Sequence, residues 1–401
     1  MRVVYRSFDG RYSDNPRALY EAILARGDAV EHVWLCSAAH ANEFPPDAET
    51  VPEEGPEAVE ALESADLVVS NTHLSMDWTK RRGATYLQTW HGTPLKTVHR
   101  DVTFDPEVPA VVDRDIARWD MLLSQNPDST TLLPQIFGYH GPVHETGYPR
   151  NDLLNAPDAA RSRERIRGEL GIPAEKTAVL YAPTWRDDQL ADDDSPDHRL
   201  RLDLERFAKE LGSDHVLMVR LHYQVTDALD GIDLPHVMDV SDYPDIRDLI
   251  LAADVLVNDY ASVQFDFAVT GKPILYYVYD LEHYRDDLRH FYFDFEDIAP
   301  GPLLRTVDEV LSALRDLDGV PESHRERYDR FQERFCSRED GRATERVLAH
   351  VLLGTVPTNL TASISCNGLQ GYFTKSLVKD PNVEYAVGGE DFGASYASLI
   401  D

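Results

Sequence analysis

The 401-residue sequence carries 71 Asp and Glu against 39 Lys and Arg, a formal charge of −32, with 42% hydrophobic and 27% charged residues. A field this negative disfavours docking on nucleic acid or bare anionic lipid, so an anionic substrate must be held by a local set of cations and backbone N–H groups within a Debye length of about 8 Å. Three cysteines (Cys36, Cys336, Cys366) lack metal-ligand spacing and are too few for a disulfide framework, and no run approaches the roughly 18 apolar residues of a membrane span.

In chain order, strands are predicted over Met1–Tyr5, His32–Leu35, Leu67–Ser70, Thr85–Trp90 and Met121–Ser124. A helix over Pro16–Arg26 is entered after Ser13-Asp14-Asn15 and closed by Gly27. The amino-terminal MRVVYRSFDG lacks the long apolar core of a signal peptide. Gly147, Pro149, Asn151 and Pro157 break the periodicity and put a join near Tyr148–Asp158. Beyond it, strands are predicted over Ala178–Ala182, His215–Arg220, His236–Asp239, Val255–Asn258 and Ile274–Tyr277, with helices over Leu202–Leu211, Asp245–Ala252 and Val263–Thr270. Short apolar runs alternating with helical patterns mark βαβ units. Each part, residues 1–150 and 151–354, therefore reads as a Rossmann-like, doubly wound α/β domain. Asp187–Pro196 (DDQLADDDSP) is a solvated acidic loop without EF-hand spacing. Residues 355–401 turn to Ser, Thr, Asn and Gly, a tail or small appendage with no assigned function.

Four polar constellations fall at predicted strand ends, the edge where open α/β sheets bind ligands. In YLQTWHGTPLKTVHRD (residues 86–101) a strand runs into His91-Gly92-Thr93-Pro94, and Lys96, His99 and Arg100 follow. Gly92 permits close backbone approach, and Pro94 suits the first turn of a following helix. An imidazole here suits general base work near neutral pH; the competing reading is a turn histidine satisfied by backbone. In YAPTWR, Arg186 offers a planar fork matched to phosphate, or else it pairs with the acidic loop. In VRLHY, Arg220 and His222 share one strand face, as a diphosphate clamp or as surface alternation. In VNDYASV, Asp259, Tyr260 and Ser262 lead into a helix whose free N–H groups favour phosphate, unless Ser262 is only an N-cap. Together they point to a nucleotide diphosphate bound between two α/β domains.

The same residues resemble a known family. LQTWHGTPLK, YAPTWRDD, VRLHY, VNDYASVQFDFA with GKPILYYVYDLE, and EDGRATERV occur in the order found in CDP-glycerol glycerophosphotransferases, over roughly Ala65 to Leu353. These are polymerases of teichoic acid and related capsular polyol phosphates. The resemblance implies a GT-B fold, two Rossmann-like domains facing a cleft, with a return helix over residues 340–353. It implies an enzyme that moves a polyol phosphate, glycerol phosphate first, from a CDP-activated donor to a hydroxyl of a polyol-phosphate or lipid-linked glycan acceptor, releasing CMP. His91 takes the position of the catalytic base. Arg186, Arg220, His222, Asp259, Tyr260 and Ser262 fall on the donor side, and Gly92, Thr93 and Lys96 on the acceptor side. The family's serine pair reads Ala261-Ser262 here, one hydroxyl fewer. No cofactor is required, a loosely bound Mg2+ is compatible, and no nucleic-acid partner is expected. Lipid-linked acceptors imply a cytoplasmic protein working peripherally at the inner membrane face, with a partner or a local patch such as Lys80-Arg81-Arg82 supplying contact. The alternatives are a ribitol-phosphate transferase, a GT-B nucleotide-sugar glycosyltransferase or epimerase, and a non-catalytic nucleotide-binding subunit.

Overall fold

Two parallel sheets organise the chain. The computed structural model describes residues 1–102, 110–184, 186, 200–221, 229 and 233–354. The first sheet contains β1 (Arg2–Arg6), β2 (Glu31–Cys36), β3 (Thr50–Pro52), β4 (Leu67–Ser70), β5 (Thr85–Gln88), β6 (Met121–Ser124) and β7 (Val143–Glu145), in spatial order 3-2-1-4-5-6-7. The second contains β8 (Thr177–Ala182), β9 (His215–Val219), β10 (Val237–Asp239), β11 (Val255–Asn258), β12 (Ile274–Tyr277) and β13 (Leu303–Leu304), in order 10-9-8-11-12-13. Counted from β8, that is again 3-2-1-4-5-6. In both sheets the order in which strands are added thus reverses beside the first strand, the switch point at which doubly wound folds bind ligands. Both sheets belong to one compact unit, Met1–Val351.

The central strands are apolar on both faces: Val3, Val4, Tyr5, Val33, Val68, Val179, Leu180, Val255, Leu256 and Leu275 are all buried. Such continuous runs are what a parallel sheet covered by helices on both sides requires. The cover on the first sheet includes α1 (Asp14–Arg26), α2 (Pro56–Ser64), α3 (Ala110–Ile116) and α4 (Pro127–Phe137). On the second it includes α5 (Ala159–Glu169), α6 (Leu204–Leu211), α7 (Ile246–Ala252), α8 (Val263–Phe267), α9 (Val307–Arg315) and α10 (Gly319–Phe335). Local signals set their ends. Asn126 caps α4 by accepting from Ser129 N at 2.9 Å, Pro127 follows at the first turn, and Gly138 closes the helix at φ +62°. Thr306 and Glu309 form a reciprocal capping box at α9.

The last helix, α11 (Ala343–Gly354), is held from outside itself. Both carboxylate oxygens of Asp152 accept from its first amides, Ala343 N at 2.9 Å and Thr344 N at 2.8 Å. Arg346 Nε donates to Thr146 O at 2.8 Å, and the His350 ring lies 4.3 Å from that of His144 on β7. The helix therefore returns to the outer edge of the first sheet.

Two local expectations are corrected. The strand predicted to reach Trp90 stops at Gln88, because Trp90 adopts φ +52°, which no strand residue can. Pro94 does not open a helix; the next helical turn is the 3-10 turn His99–Asp101. Leu95–Thr97 instead runs beside residues 290–292, with Tyr292 N donating to Leu95 O and Thr97 N to His290 O, both at 2.8 Å. The acidic loop over Asp187–Pro196, the residue His222 and the tail 355–401 lie outside the described residues.

Candidate active site

The two switch points are tied in the same way. In the first sheet, Phe8 N, just past β1, donates to Asn71 Oδ1, just past β4, at 3.0 Å. In the second, Thr184 N, past β8, donates to both carboxylate oxygens of Asp259, past β11, at 2.9 and 3.0 Å. Each pair draws together the carboxyl ends of the two strands that flank the switch. The two edges come close at Gly92, where an added Cβ would lie 2.8 Å from Ser262 Oγ. Gly92 follows β5 of the first sheet and Ser262 follows β11 of the second, so only a glycine permits this approach.

His91 sits beside that contact. Its Nδ1 lies 2.6 Å from the backbone carbonyl of Asn71. A carbonyl oxygen can only accept, so Nδ1 carries the ring proton and the Nε2 lone pair is left as a base. The ring stacks on Trp90 at 4.1 Å and meets Phe8 at 5.2 Å. It is partly accessible, yet this packing desolvates it and pushes its pKa down to about 4; the Asn71 carbonyl and Asp14 oppose that shift only in part. The imidazole is therefore neutral, and able to take a proton, throughout the physiological range.

The peptide that aims this ring is strained. A bulky residue with positive φ is uncommon and costs on the order of 1–3 kcal/mol. Trp90 is held there from three sides: its N–H donates to Gln88 Oε1 at 2.9 Å, and its carbonyl accepts from Thr89 Oγ1 at 3.0 Å and Asn15 Nδ2 at 3.1 Å. Behind it lies a buried polar network that the sequence reading did not find. Arg150 Nη2 donates to the His91 carbonyl at 2.9 Å and to Asp266 Oδ2 at 2.6 Å, while Nη1 donates to Asp14. Asp266 Oδ1 also accepts from Asn151 Nδ2 at 2.7 Å and Gln125 Nε2 at 2.9 Å. The motif VNDYASVQFDFA contained Asp266, but nothing in its spacing distinguishes a buried carboxylate from a solvated one.

Several predicted site residues are placed differently from expectation. Arg186 is buried with Nε, Nη1 and Nη2 all committed: to Asp280 at 2.7 and 3.0 Å, to Thr184 O at 2.6 Å and to Asp259 at 2.9 Å. It also packs against the rings of Tyr260, Tyr279 and Tyr284. Tyr260 is buried with its hydroxyl donating to Asp280 at 3.0 Å, and Asp259 is filled by Thr184, Arg186 and Tyr260 N. Arg186 and Asp259 pair with each other, the Tyr260 hydroxyl pairs with Asp280, and together these bonds set the turn before Ser262. Thr93 lies inside the protein. Its hydroxyl is buried, donating to Gln125 at 2.7 Å and accepting from Asn126 at 2.8 Å.

Ser262 and Arg220 remain available. Ser262 precedes α8 but makes no capping bond with its side chain, so its hydroxyl is not spent as an N-cap. Arg220 is half-buried just past β9, with Nη1 donating to Val240 O at 3.1 Å and Tyr243 O at 2.7 Å. Among the described residues no carboxylate pairs with it. Burial pushes its pKa down to about 10, with Asp245 opposing, and it feels the charges of Arg11 and Glu43 from the first-sheet side. A desolvated cation at the meeting edges, with no carboxylate in ion-pair contact among the described residues, suits an anionic ligand. Lys96 lies on the segment that runs beside residues 290–292. Among the described residues no group of three or more His, Cys, Asp or Glu is placed to hold a metal ion.

A family model described as CDP-Glycerol:Poly(glycerophosphate) glycerophosphotransferase matches residues 1–353. The chain belongs to this family. Among glycerophosphotransferase relatives, the teichoic acid poly(glycerol phosphate) polymerase of Staphylococcus epidermidis is 35% identical over 356 residues, covering 86% of this chain and 49% of that protein. The chain thus spans about half the length of that relative. The teichoic acid glycerol-phosphate transferase of Staphylococcus aureus is 37% identical over 361 residues, covering 86% of this chain and 91% of that protein. The solved structure of the wall teichoic acid polymerase TagF superposes with a TM-score of 0.79 at 33% identity, covering 88% of each chain, and a His-to-Asn variant of it soaked with CDPG superposes with 0.78 at 32% identity over the same shares. This glycerophosphotransferase family member has the GT-B fold. Among its described residues no helix is long and apolar enough to cross a membrane. The basic patch at Lys80-Arg81-Arg82 is partly neutralised, Lys80 by Asp120 and Arg81 by Asp66.

Proposed function

We infer that the chain transfers glycerol phosphate from CDP-glycerol to a hydroxyl of a teichoic-acid-like acceptor and releases CMP. The observation that carries this reading is the His91 imidazole, fixed by the Asn71 carbonyl with Nε2 unprotonated, beside the contact where Gly92 meets Ser262. His91 Nε2 takes the acceptor hydroxyl proton as that oxygen attacks the phosphorus bearing glycerol. The bond from that phosphorus to the bridging oxygen breaks, and CMP departs with the electron pair. Charge grows on the leaving phosphate, so donors aimed there lower the barrier. Arg220 and the Ser262 hydroxyl supply them, together with His222, whose position in VRLHY matches the family motif. Arg186, Asp259 and Tyr260 hold the turn that presents Ser262. Gly92 and Lys96 lie on the acceptor side, and Thr93 anchors that loop to Gln125 and Asn126. The acceptor is a polyol phosphate or a lipid-linked glycan at the inner membrane face, reached peripherally.

Two glycerol-phosphate relatives favour glycerol as the transferred unit. The test is to incubate the protein with a synthetic glycerol-phosphate acceptor and, in parallel, CDP-glycerol, CDP-ribitol and UDP-sugars. Acceptor-dependent CMP release fastest with CDP-glycerol is the expected result. Release of UDP, or no release from any donor, would reject the assignment.

A further inference from the structure

We propose that Arg150 is a positioning residue that locks the His91 peptide to α8, the helix that follows Ser262, so that one guanidinium sets the distance between base and donor site. The inference rests on His91 acting as the base. Arg150 touches three elements at once: Asp14 at the start of α1, the His91 carbonyl after β5, and Asp266 on α8. Asp266 lies four residues after Ser262, about one helical turn. Displacement of α8 is therefore felt at the His91 carbonyl through a single buried side chain.

The second tie runs through Asn15. Arg150 N donates to Asn15 Oδ1 at 3.1 Å, and Asn15 Nδ2 donates to the Trp90 carbonyl at 3.1 Å. Arg150 thus braces both the His91 peptide and the strained Trp90 conformation before it. Strained conformations persist only where the surroundings over-determine them. None of these groups reaches a reacting atom in the mechanism above, so their effect passes through His91. Lysine at position 150 keeps the backbone tie to Asn15 but not the guanidinium's ties: an ammonium keeps the charge between the two aspartates but lacks the planar fork that spans Asp14, Asp266 and the carbonyl.

The test compares Arg150→Lys and Asp266→Asn with the unaltered protein, normalising turnover to folded molecules and recording kcat, KM for CDP-glycerol and the pH dependence of kcat/KM. We expect kcat to fall by about 10- to 100-fold, as for a catalytic group displaced by about 1 Å. KM should stay within about threefold, because Ser262 and Arg220 remain. The acidic limb should move toward the ordinary imidazole value as the His91 ring loosens and becomes solvated. A merely structural part would reduce the folded fraction and leave kcat per folded molecule and the limb unchanged. A folded variant with kcat within twofold and a superimposable limb overturns the proposal. If Arg150→Lys does not fold, Asp266→Asn, which keeps the shape, decides alone by the same criteria. Failure of the underlying reading looks different: the unaltered protein would release no CMP, or His91→Ala would retain turnover.

Discussion

Nδ1 of His91 and the carbonyl oxygen of Asn71 lie 2.6 Å apart, and they come from two strand ends that the sheet places side by side. The main chain of Asn71 sets the tautomer, while its side chain holds Phe8 N and so the position of that carbonyl. His91→Ala is expected to lower kcat by about 10²–10⁴-fold with folding preserved. A folded His91→Ala with near-normal CMP release would remove the imidazole from the mechanism.

The burial of the same ring predicts a pH profile. A base must be unprotonated, and His91 is pushed down to about 4, so kcat/KM should hold well below pH 6 and fall only toward that value. The acidic limb of kcat should lie higher, since a bound diphosphate anion nearby favours the imidazolium. Steady-state CMP release from pH 4.5 to 8 checks both. A kcat/KM limb at or above the ordinary histidine value of about 6.5 would contradict this.

The two arginines at second-sheet strand ends should separate cleanly. Arg186→Met strands Asp259 and Asp280 in the interior and should cost about 3–5 kcal/mol of stability. Arg220→Met removes a desolvated cation with no carboxylate partner among the described residues and frees two backbone carbonyls, so it should cost less stability than Arg186→Met while KM for CDP-glycerol increases at least tenfold. A lost charge-assisted bond of about 1.5–3 kcal/mol corresponds to roughly that factor or more. Thermal melts beside donor titrations measure both. Unchanged donor KM in a folded Arg220→Met variant would place this arginine off the donor path.

Strand and helix periodicity made the two parallel sheets legible, because buried parallel strands such as Val255–Asn258 are apolar on both faces and stand out from their flanks. The short edges β3, β7 and β13 carry two or three residues each and leave no periodicity to find. His91, Ser262 and Arg220 were visible as polar residues at strand ends. Whether a strand-end cation is free or already paired was not visible. Arg186 and Arg220 look alike in sequence, and they differ because Asp280, nearly a hundred residues away, folds onto only one of them. Arg150 was missed for the same reason: its partners Asp14 and Asp266 lie more than a hundred residues away on either side.

Gly92 and Ser262 offer a steric test of the meeting edges. A methyl at position 92 would approach Ser262 Oγ to 2.8 Å and Ser262 Cβ to 3.1 Å, so the serine must turn aside. Gly92→Ala should therefore cost little stability but lower kcat/KM by about tenfold or more, since small misplacements at a reacting centre are expensive. Adding Ser262→Gly should relieve the clash without restoring the hydroxyl, returning the contact while leaving donor KM raised. Equal activity of the unaltered protein and Gly92→Ala would show that this contact does not shape the site.

Glu339 gives the last prediction, and it concerns stability. The residue is buried and one oxygen accepts from Tyr148 N at 3.1 Å; among the described residues the other oxygen has no partner, and neither has the buried Asn151 Oδ1. Burial, and then the nearby Asp266 carboxylate, push the Glu339 pKa up to about 8. A carboxyl with a folded-state value above its unfolded value of about 4.5 binds more protons when folded, so stability falls as pH rises from about 5 through 8. Glu339→Gln removes the titration while keeping the shape, and its amide N–H can donate to Asn151. The melting temperature of Glu339→Gln relative to the unaltered protein should therefore climb steadily across that interval, by several degrees at pH 8. A constant difference between the two proteins from pH 5 to 8 would mean that Glu339 is ionised in the fold and that the buried proton assigned to it is absent.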